Sequence, residues 1–389
     1  SNGALDKLVG EIATGHNRYS TTGGSGIHNV QPLDSEYKLG RIAIGHNGNL
    51  VNTNSLRTIL LDQGAFFRTT ADTEIMLHLL ARSKGTLTDA IKNMMKQVSG
   101  AYSLVIMTKD ELVGVRDPKG MRPLCLGKIG NAYVLASETC ALDLMGAEFI
   151  RDVEPGEIVI ISRDGIRSEK HPCSTCKAFC IFESVYFMKP NSKHNGKTVY
   201  SERYRMGQIL HREHPCDADI VVAVPDSGTP AAFGYSDASG IPIVPAFVRS
   251  HYVGRSFIQP ENGMREDTVK MKLALINELV AGKRVILVDD SVVRGITCIT
   301  RVKNLRDAGA REVHIRVSCP PHLHPCRYGI DFPDRKDLIA STHQGDELRV
   351  ALGVDSIGYL SENGLLEAVG GDGYCMACFN GQYPIPITD

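Results

Sequence analysis

Residues 285–297 read Val285-Ile-Leu-Val-Asp-Asp-Ser-Val-Val-Arg-Gly-Ile-Thr297. Four apolar, mostly β-branched residues form the pattern of a strand buried on both faces. Two carboxylates, Asp289 and Asp290, fall where that strand should end. A short loop with Ser291, Arg294 and Gly295 follows, and Thr297 can cap the next helix. Ile299, Val302 and Leu305 recur at helical spacing, and Gly309 marks the stop. Val313, Ile315 and Val317 alternate as a second strand. The unit is strand, loop, helix, strand, and its loop sits at the carboxyl end of the strand, where open α/β sheets bind ligands.

A glycine beside a threonine at a helix start offers backbone N–H groups to a phosphate. Paired carboxylates suit a hydroxylated sugar, or a Mg²⁺ bridging sugar and phosphate. An Asp-Asp pair alone reads equally well as a solvated turn; the phosphate-type turn and the flanking strands favour a site. The GxxxxGK[ST] and GxGxxG patterns are absent from this stretch. It resembles the ribose-5-phosphate and pyrophosphate signature of type I phosphoribosyltransferases. Ile220–Val224 leads into Pro225-Asp226-Ser227-Gly228 with the same logic, although a proline-led turn before a helix is the plainer reading. Arg249–Ile258, then Arg265 to Lys272, is basic and poor in core pattern, as a solvated loop would be.

With 389 residues, two domains are expected. A net charge of −1 gives no sign of the basic face that nucleic acid requires. No apolar run is long enough to span a bilayer. The first residues lack the charged and apolar regions of a signal peptide, so a cytoplasmic setting is expected. Eleven cysteines there argue for reduced thiols or a metal site rather than a disulfide scaffold.

Residues 1–172 read as α+β. Ile42-Ala-Ile44 leads into His46-Asn47-Gly48-Asn49, read as a strand ending in a tight turn. Asp72 opens an amphipathic helix with Ile75, Met76, Leu79 and Leu80. Ala101–Met107 pairs with Glu111–Val115, Gly120–Leu126 pairs with Asn131–Ala136, and Glu157–Ile161 is a further strand. Arg18 can grip a carboxylate bidentately. Asn47 and Gly48 pair a side-chain amide with an uncrowded backbone N–H, which suits an oxyanion in acyl transfer. Asp72 can receive an α-ammonium group. Singly these are a surface arginine, a hairpin Asn-Gly and a helix cap; together they make an amino-acid site.

HNRYSTTG, HNGNLVN, TADTE, GAYSL, RDPKGMRPL, ASETCALD and VEPGE follow one another as in the class II glutamine amidotransferases. With the phosphoribosyltransferase signature downstream, the chain resembles the amidophosphoribosyltransferase family over nearly its whole length. The resemblance implies an N-terminal nucleophile (αββα) glutaminase domain in 1–172. A type I phosphoribosyltransferase domain with a parallel sheet follows in 173–389. It implies that glutamine, phosphoribosylpyrophosphate and water give 5-phosphoribosylamine, pyrophosphate and glutamate in the first committed step of purine synthesis, with ammonia passing between two sites.

On that resemblance Arg18 and Asp72 bind glutamine, and Asn47 and Gly48 are catalytic, as are Asp289 and Asp290. Asp226, Ser227, Gly228, Ser291, Arg294, Gly295 and Thr297 hold phosphoribosylpyrophosphate. Arg255, Lys270 or Lys272 reach its phosphates from a closing lid, which would exclude water. Mg²⁺ sits on Ser227, Asp289 and Asp290. Purine nucleotides are feedback ligands, and the assembly is a homo-oligomer, a homotetramer in the family. One departure stands out: the family's nucleophile is a cysteine at the mature amino terminus, whereas this sequence starts at Ser1 and its first cysteine is Cys125. A chain of this sequence is expected to lack the glutaminase half-reaction. A non-catalytic nucleotide sensor is the rival class. A glutamine–fructose-6-phosphate type enzyme would share only the first half.

Cys173, Cys176 and Cys180 are close in sequence, Cys326 stands alone, and Cys375 and Cys378 form a second C-x2-C. Two such pairs ordinarily suggest structural zinc; four thiolates also suit an iron–sulfur cluster. One branch of the family carries a [4Fe–4S] cluster at positions matching Cys180, Cys326, Cys375 and Cys378. FCIFESVYF, HPCRYGID and CMACF resemble that branch, and Cys173 and Cys176 fall outside its pattern.

Overall fold

The computed structural model describes residues 10–17, 26–171, 176–249, 273–332 and 334–387. Its amino-terminal region is built on a six-stranded antiparallel sheet in the order β1-β2-β3-β4-β8-β9. These strands are β1 (Leu33–Tyr37), β2 (Gly40–Leu50), β3 (Gly100–Met107), β4 (Leu112–Arg116), β8 (Glu157–Ser162) and β9 (Gly165–Lys170). Helices α1 (Thr53–Asp62), α2 (Asp72–Arg82) and α3 (Leu87–Met95) cover one face. Ile75, Met76, Leu80, Ile91 and Met94 pack there against Ile44, Leu104, Ile106, Val113 and Ile158. A capping box between Thr86 and Asp89 starts α3. Asp72 and Glu74 place negative charge in the first turn of α2, where exposed N–H groups favour it.

The other face meets a three-stranded sheet, β6-β5-β7, of β5 (Cys125–Ile129), β6 (Ala132–Ala136) and β7 (Glu148–Asp152). Leu124, Val153 and Val159 fill the space between the sheets with Val105 and Leu135. Helix α4 (Thr139–Met145) closes the far side through Leu142, packed with Cys125 and Ala147. The layers are therefore helix, sheet, sheet, helix.

The second region carries a five-stranded parallel sheet, β14-β13-β17-β18-β19. Its strands are β13 (Ile220–Ala223), β14 (Ile243–Val244), β17 (Arg284–Asp289), β18 (Glu312–Val317) and β19 (Ser356–Tyr359). Val285 to Val288 are buried at the centre, as a strand covered on both faces requires. Helices α5 (Val199–Glu213), α6 (Thr229–Ser239) and α7 (Ile296–Asp307) pack around it. Three small pairs complete the fold. They are parallel β10 (Phe179–Cys180) with β20 (Tyr374–Cys375), hairpin β11 (Lys193–His194) with β12 (Lys197–Thr198), and antiparallel β15 (Phe247–Arg249) with β16 (Leu273–Leu275). No helix among the described residues is long and apolar enough to cross a membrane.

Four local expectations are corrected. His46-Asn47-Gly48-Asn49 is no turn: β2 runs on to Leu50, paired with β3 from Ala43↔Met107 to Leu50↔Gly100. Pairing over that whole length outweighs the local turn preference of Asn-Gly. Residues 120–124 form a loop rather than strand, because the Asp117 carboxylate accepts N–H bonds from Lys119 and Met121, both at 2.9 Å. Helix α7 starts one residue before Thr297, with Gly295 (φ +78°) as N-cap and Thr297 exposed in the first turn. Its buried face is Cys298, Val302 and Leu305, which leaves Ile299 off the core and 40% exposed.

Candidate active sites and the cysteine cavity

At the carboxyl end of β17, Asp289 and Asp290 are both buried. The Asp290 N–H donates to Asp289 Oδ1 at 2.9 Å. Ser291 Oγ donates to Asp290 Oδ2 at 2.7 Å, and Ser227 Oγ donates to Asp290 Oδ1. Burial, then the charge of Asp290, push the Asp289 carboxyl well above the usual carboxylate range; Arg301 opposes them. Gly228 sits against the strand end, where a Cβ would lie 2.8 Å from Val288 O, so the 225–228 loop packs directly beside the acid pair. Asp226 at its tip is exposed and ion-paired with Arg249. Arg294 and Thr297 are exposed at the mouth. Two buried carboxylates flanked by hydroxyls and backbone N–H groups make an oxygen-rich donor set suited to a hard divalent cation.

In the first region, Asn47 and Gly48 lie half-buried near the end of β2. Gly48 has φ +147°, and a Cβ there would run into Ala101 O on β3. Gly329 packs on it from the second region: its own Cβ would lie 2.7 Å from Gly48 C. Asn49 Nδ2 donates to Arg327 O at 3.0 Å. Asp72 sits beneath, its Oδ2 accepting the Leu50 N–H at 3.0 Å and its Oδ1 lying 3.3 Å from His46 Nδ1. Burial raises the Asp72 carboxyl, but His46 and the N–H groups of Leu50 and Thr73 outweigh it, and the carboxyl ends below its usual value. Arg122 Nε donates to Asn47 Oδ1 at 3.3 Å, and Arg122 Nη2 lies 2.9 Å from Glu183 Oε1 across the junction.

Cys180, Cys326, Cys375 and Cys378 line one small cavity with Phe182, Ile330, Phe332 and Tyr383. Parallel pairing of β10 with β20 sets Cys180 directly opposite Cys375. The main-chain O of Cys378 accepts from Leu323 N and His324 N, both at 3.1 Å, which ties in the segment bearing Cys326. The Tyr328 N–H donates to Cys326 Sγ at 3.3 Å. Burial raises all four thiols, Cys375 to about 12. Among the described residues, no three His, Cys, Asp or Glu side chains converge as a single ion would need. Cys176 is exposed.

Sequence reasoning thus finds groups that the fold brings together: Asn47, Gly48 and Asp72 at one end, Asp226, Ser227, Gly228, Asp289, Asp290 and Ser291 at the other. Arg18, Arg255, Lys270, Lys272 and Cys173 lie outside the described residues. It misses His46, Arg122, Glu183, Arg249, Arg301 and Gly329. His46, Arg122, Glu183, Arg249 and Gly329 stand inside quoted stretches without being singled out there; Arg301 does not.

The layered first region and the acid-tipped parallel sheet define a glutamine amidotransferase joined to a phosphoribosyltransferase-type domain. A family model described as a glutamine amidotransferase domain matches residues 16–144. The amidophosphoribosyltransferase of Bacillus subtilis is 46% identical over 394 residues, covering 99% of this chain and 83% of that protein. The Archaeoglobus fulgidus enzyme of the same name is 45% identical, covering 98% and 85%. The solved B. subtilis glutamine phosphoribosylpyrophosphate amidotransferase, complexed with ADP and GMP, superposes with a TM-score of 0.93 at 46% identity, covering 100% of this chain and 86% of that one. The chain belongs to the amidophosphoribosyltransferase family, whose enzymes act in purine biosynthesis.

Proposed function

We propose that Asp289, Asp290 and Ser227 hold the Mg²⁺ that accompanies phosphoribosylpyrophosphate, and that ammonia attacks C1 of its ribose at this strand end. The C1–nitrogen bond forms as the C1–oxygen bond to pyrophosphate breaks, and the nitrogen then loses a proton. The observation that carries this is the buried pair of adjacent carboxyls at the end of β17, lined by the Ser227 and Ser291 hydroxyls and only partly compensated by Arg301. A bound divalent cation supplies positive charge to the departing pyrophosphate. Asp226, Ser227 and Gly228 take the pyrophosphate, and Ser291, Arg294, Gly295 and Thr297 the 5-phosphate. Asn47 and Gly48 receive the oxyanion of glutamine, while Arg18 and Asp72 bind its α-groups. The test is pyrophosphate release from phosphoribosylpyrophosphate with ammonium, with and without Mg²⁺. Metal-independent release would overturn the reading, and no release would favour the nucleotide-sensor class.

The cavity thiols fit a [4Fe–4S] cluster on Cys180, Cys326, Cys375 and Cys378. Four soft donors in apolar surroundings, one receiving an N–H···S bond, support it. Such a group contributes to folding, since neither half-reaction moves electrons. Anaerobic protein is expected to be brown, with iron and acid-labile sulfide each about four per chain. Zinc without iron overturns this. Iron should survive replacement of Cys173 and Cys176 by Ser and be lost on replacing Cys375 and Cys378. Purine nucleotides are proposed as inhibitors, because the B. subtilis structure is described as complexed with ADP and GMP; inhibition assays decide it. A cytoplasmic homotetramer is part of the same proposal, tested by sedimentation.

A further inference from the structure

We propose that Arg122 is a positioning residue for acyl transfer: its guanidinium orients the Asn47 amide while anchored to Glu183 across the junction between the two regions. This rests on reading Asn47 and Gly48 as the oxyanion hole.

An asparagine amide can face a site with either end, and only its NH₂ end stabilises an oxyanion. The arrangement here selects that end. A guanidinium donates and never accepts, so the atom facing Arg122 Nε at 3.3 Å must be Asn47 Oδ1. Nδ2 is then directed away and available as a donor. Polarisation by a neighbouring cation also strengthens the remaining amide donors.

The guanidinium is itself held. Arg122 and Glu183 side chains are 7% and 3% exposed, with Nη2 and Oε1 2.9 Å apart as an ion pair. Glu183 opens a single turn of π-helix, Glu183–Phe187, a rare element that recurs at functional sites. The Arg122 main chain is fixed as well: its O accepts from Ser103 Oγ at 3.1 Å and from Arg116 Nε at 2.8 Å. Ser103 is the β3 residue registered opposite Asn47. The residue that orients the amide is therefore pinned by that amide's own cross-strand neighbour. The third nitrogen, Nη1, is buried without a hydrogen-bond partner among the described residues, and Arg122 lines the cysteine cavity. One guanidinium thus ties together the oxyanion strand, the first turn of the second region and the wall of the cavity.

The experiment uses the chain preceded by the family's cysteine-led segment, so that a nucleophile for glutamine is present, and compares glutamine-dependent with ammonia-dependent synthesis. Arg122→Met is expected to lower glutamine-dependent kcat about 10–100-fold, short of deleting a donor outright. The KM for glutamine should move less than about threefold, because the lost interaction belongs to the transition state. Ammonia-dependent turnover should stay within about twofold, since no step of that half uses the amide. Arg122→Lys, a charge without the fork, should recover only part of the loss. Glu183→Gln should cause a smaller fall in the same direction.

A double-mutant cycle separates positioning from structure. If Arg122 acts through Asn47, then Asn47→Ala with Arg122→Met is no slower than Asn47→Ala alone. Multiplied losses overturn the proposal. Asn47→Ala slow with Arg122→Met normal overturns it while leaving the oxyanion reading intact. Asn47→Ala at the wild-type rate overturns both. Should Arg122→Met damage the fold, Arg122→Lys and Glu183→Gln decide: parallel losses of both activities in them overturn the positioning role.

Discussion

Asp72 and Asp289 are both buried carboxylates, 5% and 9% exposed, yet they are shifted in opposite directions. Asp72 begins a helix and finds a Leu50 N–H, a Thr73 N–H and His46. Asp289 ends a strand and finds another carboxylate. Burial costs each of them alike; the difference lies in what each meets afterwards. Asp72 is satisfied by its partners, whereas Asp289 meets a second carboxylate and only partial compensation from Arg301, so its carboxyl favours taking up a proton or a cation. The proposed binding site is distinguished by incomplete compensation, not by burial.

The largest test of this contrast is the double substitution Asp289→Asn/Asp290→Asn. Ammonia-dependent formation of 5-phosphoribosylamine should fall on the order of 10³-fold or more, the scale of lost charge stabilisation at a leaving group. A folded double variant with wild-type turnover would break the comparison. Next, Mg²⁺ at about 100 times its Kd should stabilise the wild type by about 2.7 kcal/mol and leave the double variant unmoved; thermal melts read this directly. Asp72→Asn should cost about 1–3 kcal/mol in urea titrations at pH 7, as expected for a buried network losing its charge. Asp289→Asn alone should raise metal-free stability at neutral pH by about 1 kcal/mol, since an amide avoids the cost of either ionising or protonating a buried carboxyl beside Asp290. A surface control, Arg212→Ala at its exposed ion pair with Glu367, should leave the urea midpoint essentially unmoved.

The pH dependence sharpens the same point, with opposite signs. The folded Asp72 carboxyl is below its ordinary value of 3.8, so its contribution is complete above that value and lost as pH falls through the folded one. The folded Asp289 carboxyl is above 3.8, so its contribution is complete below that value and lost as pH rises towards the folded one. The gain from Asp289→Asn should therefore vanish below about pH 4 while the loss from Asp72→Asn shrinks on acidification. Melting curves across pH 3–8 without metal would show two crossing trends; parallel trends would refute the distinction.

What could be read in advance follows from how local each signal is. Val285 to Asp290 declared a buried strand with an acid tip because its pattern and its environment coincide. Asn47-Gly48 was misread as a turn because the decisive partner, Tyr102 opposite Gly48, lies on another strand. Thr297 lost the cap to Gly295, whose left-handed conformation lets the helix start earlier. Arg122, Glu183 and Gly329 stand in quoted motifs but could not be singled out from them, since each acquires its role only through a contact between regions distant in sequence. The four cysteines group through family resemblance; their own spacing ordinarily suggests zinc and leaves the cluster as the competing reading.

The pairing of β10 with β20 has a consequence for the protein's synthesis. Cys180 leaves the ribosome long before its strand partner Cys375 and the neighbouring Cys378 exist. A nascent chain therefore holds a thiol and half a pocket with nothing to close them. The cavity is completed only once residues 374–378 have emerged and docked beside residues 179–180. Any group held by all four thiols could be seated only after residues 374–378 have been translated and docked, and the exposed intermediate is the form most open to oxidation.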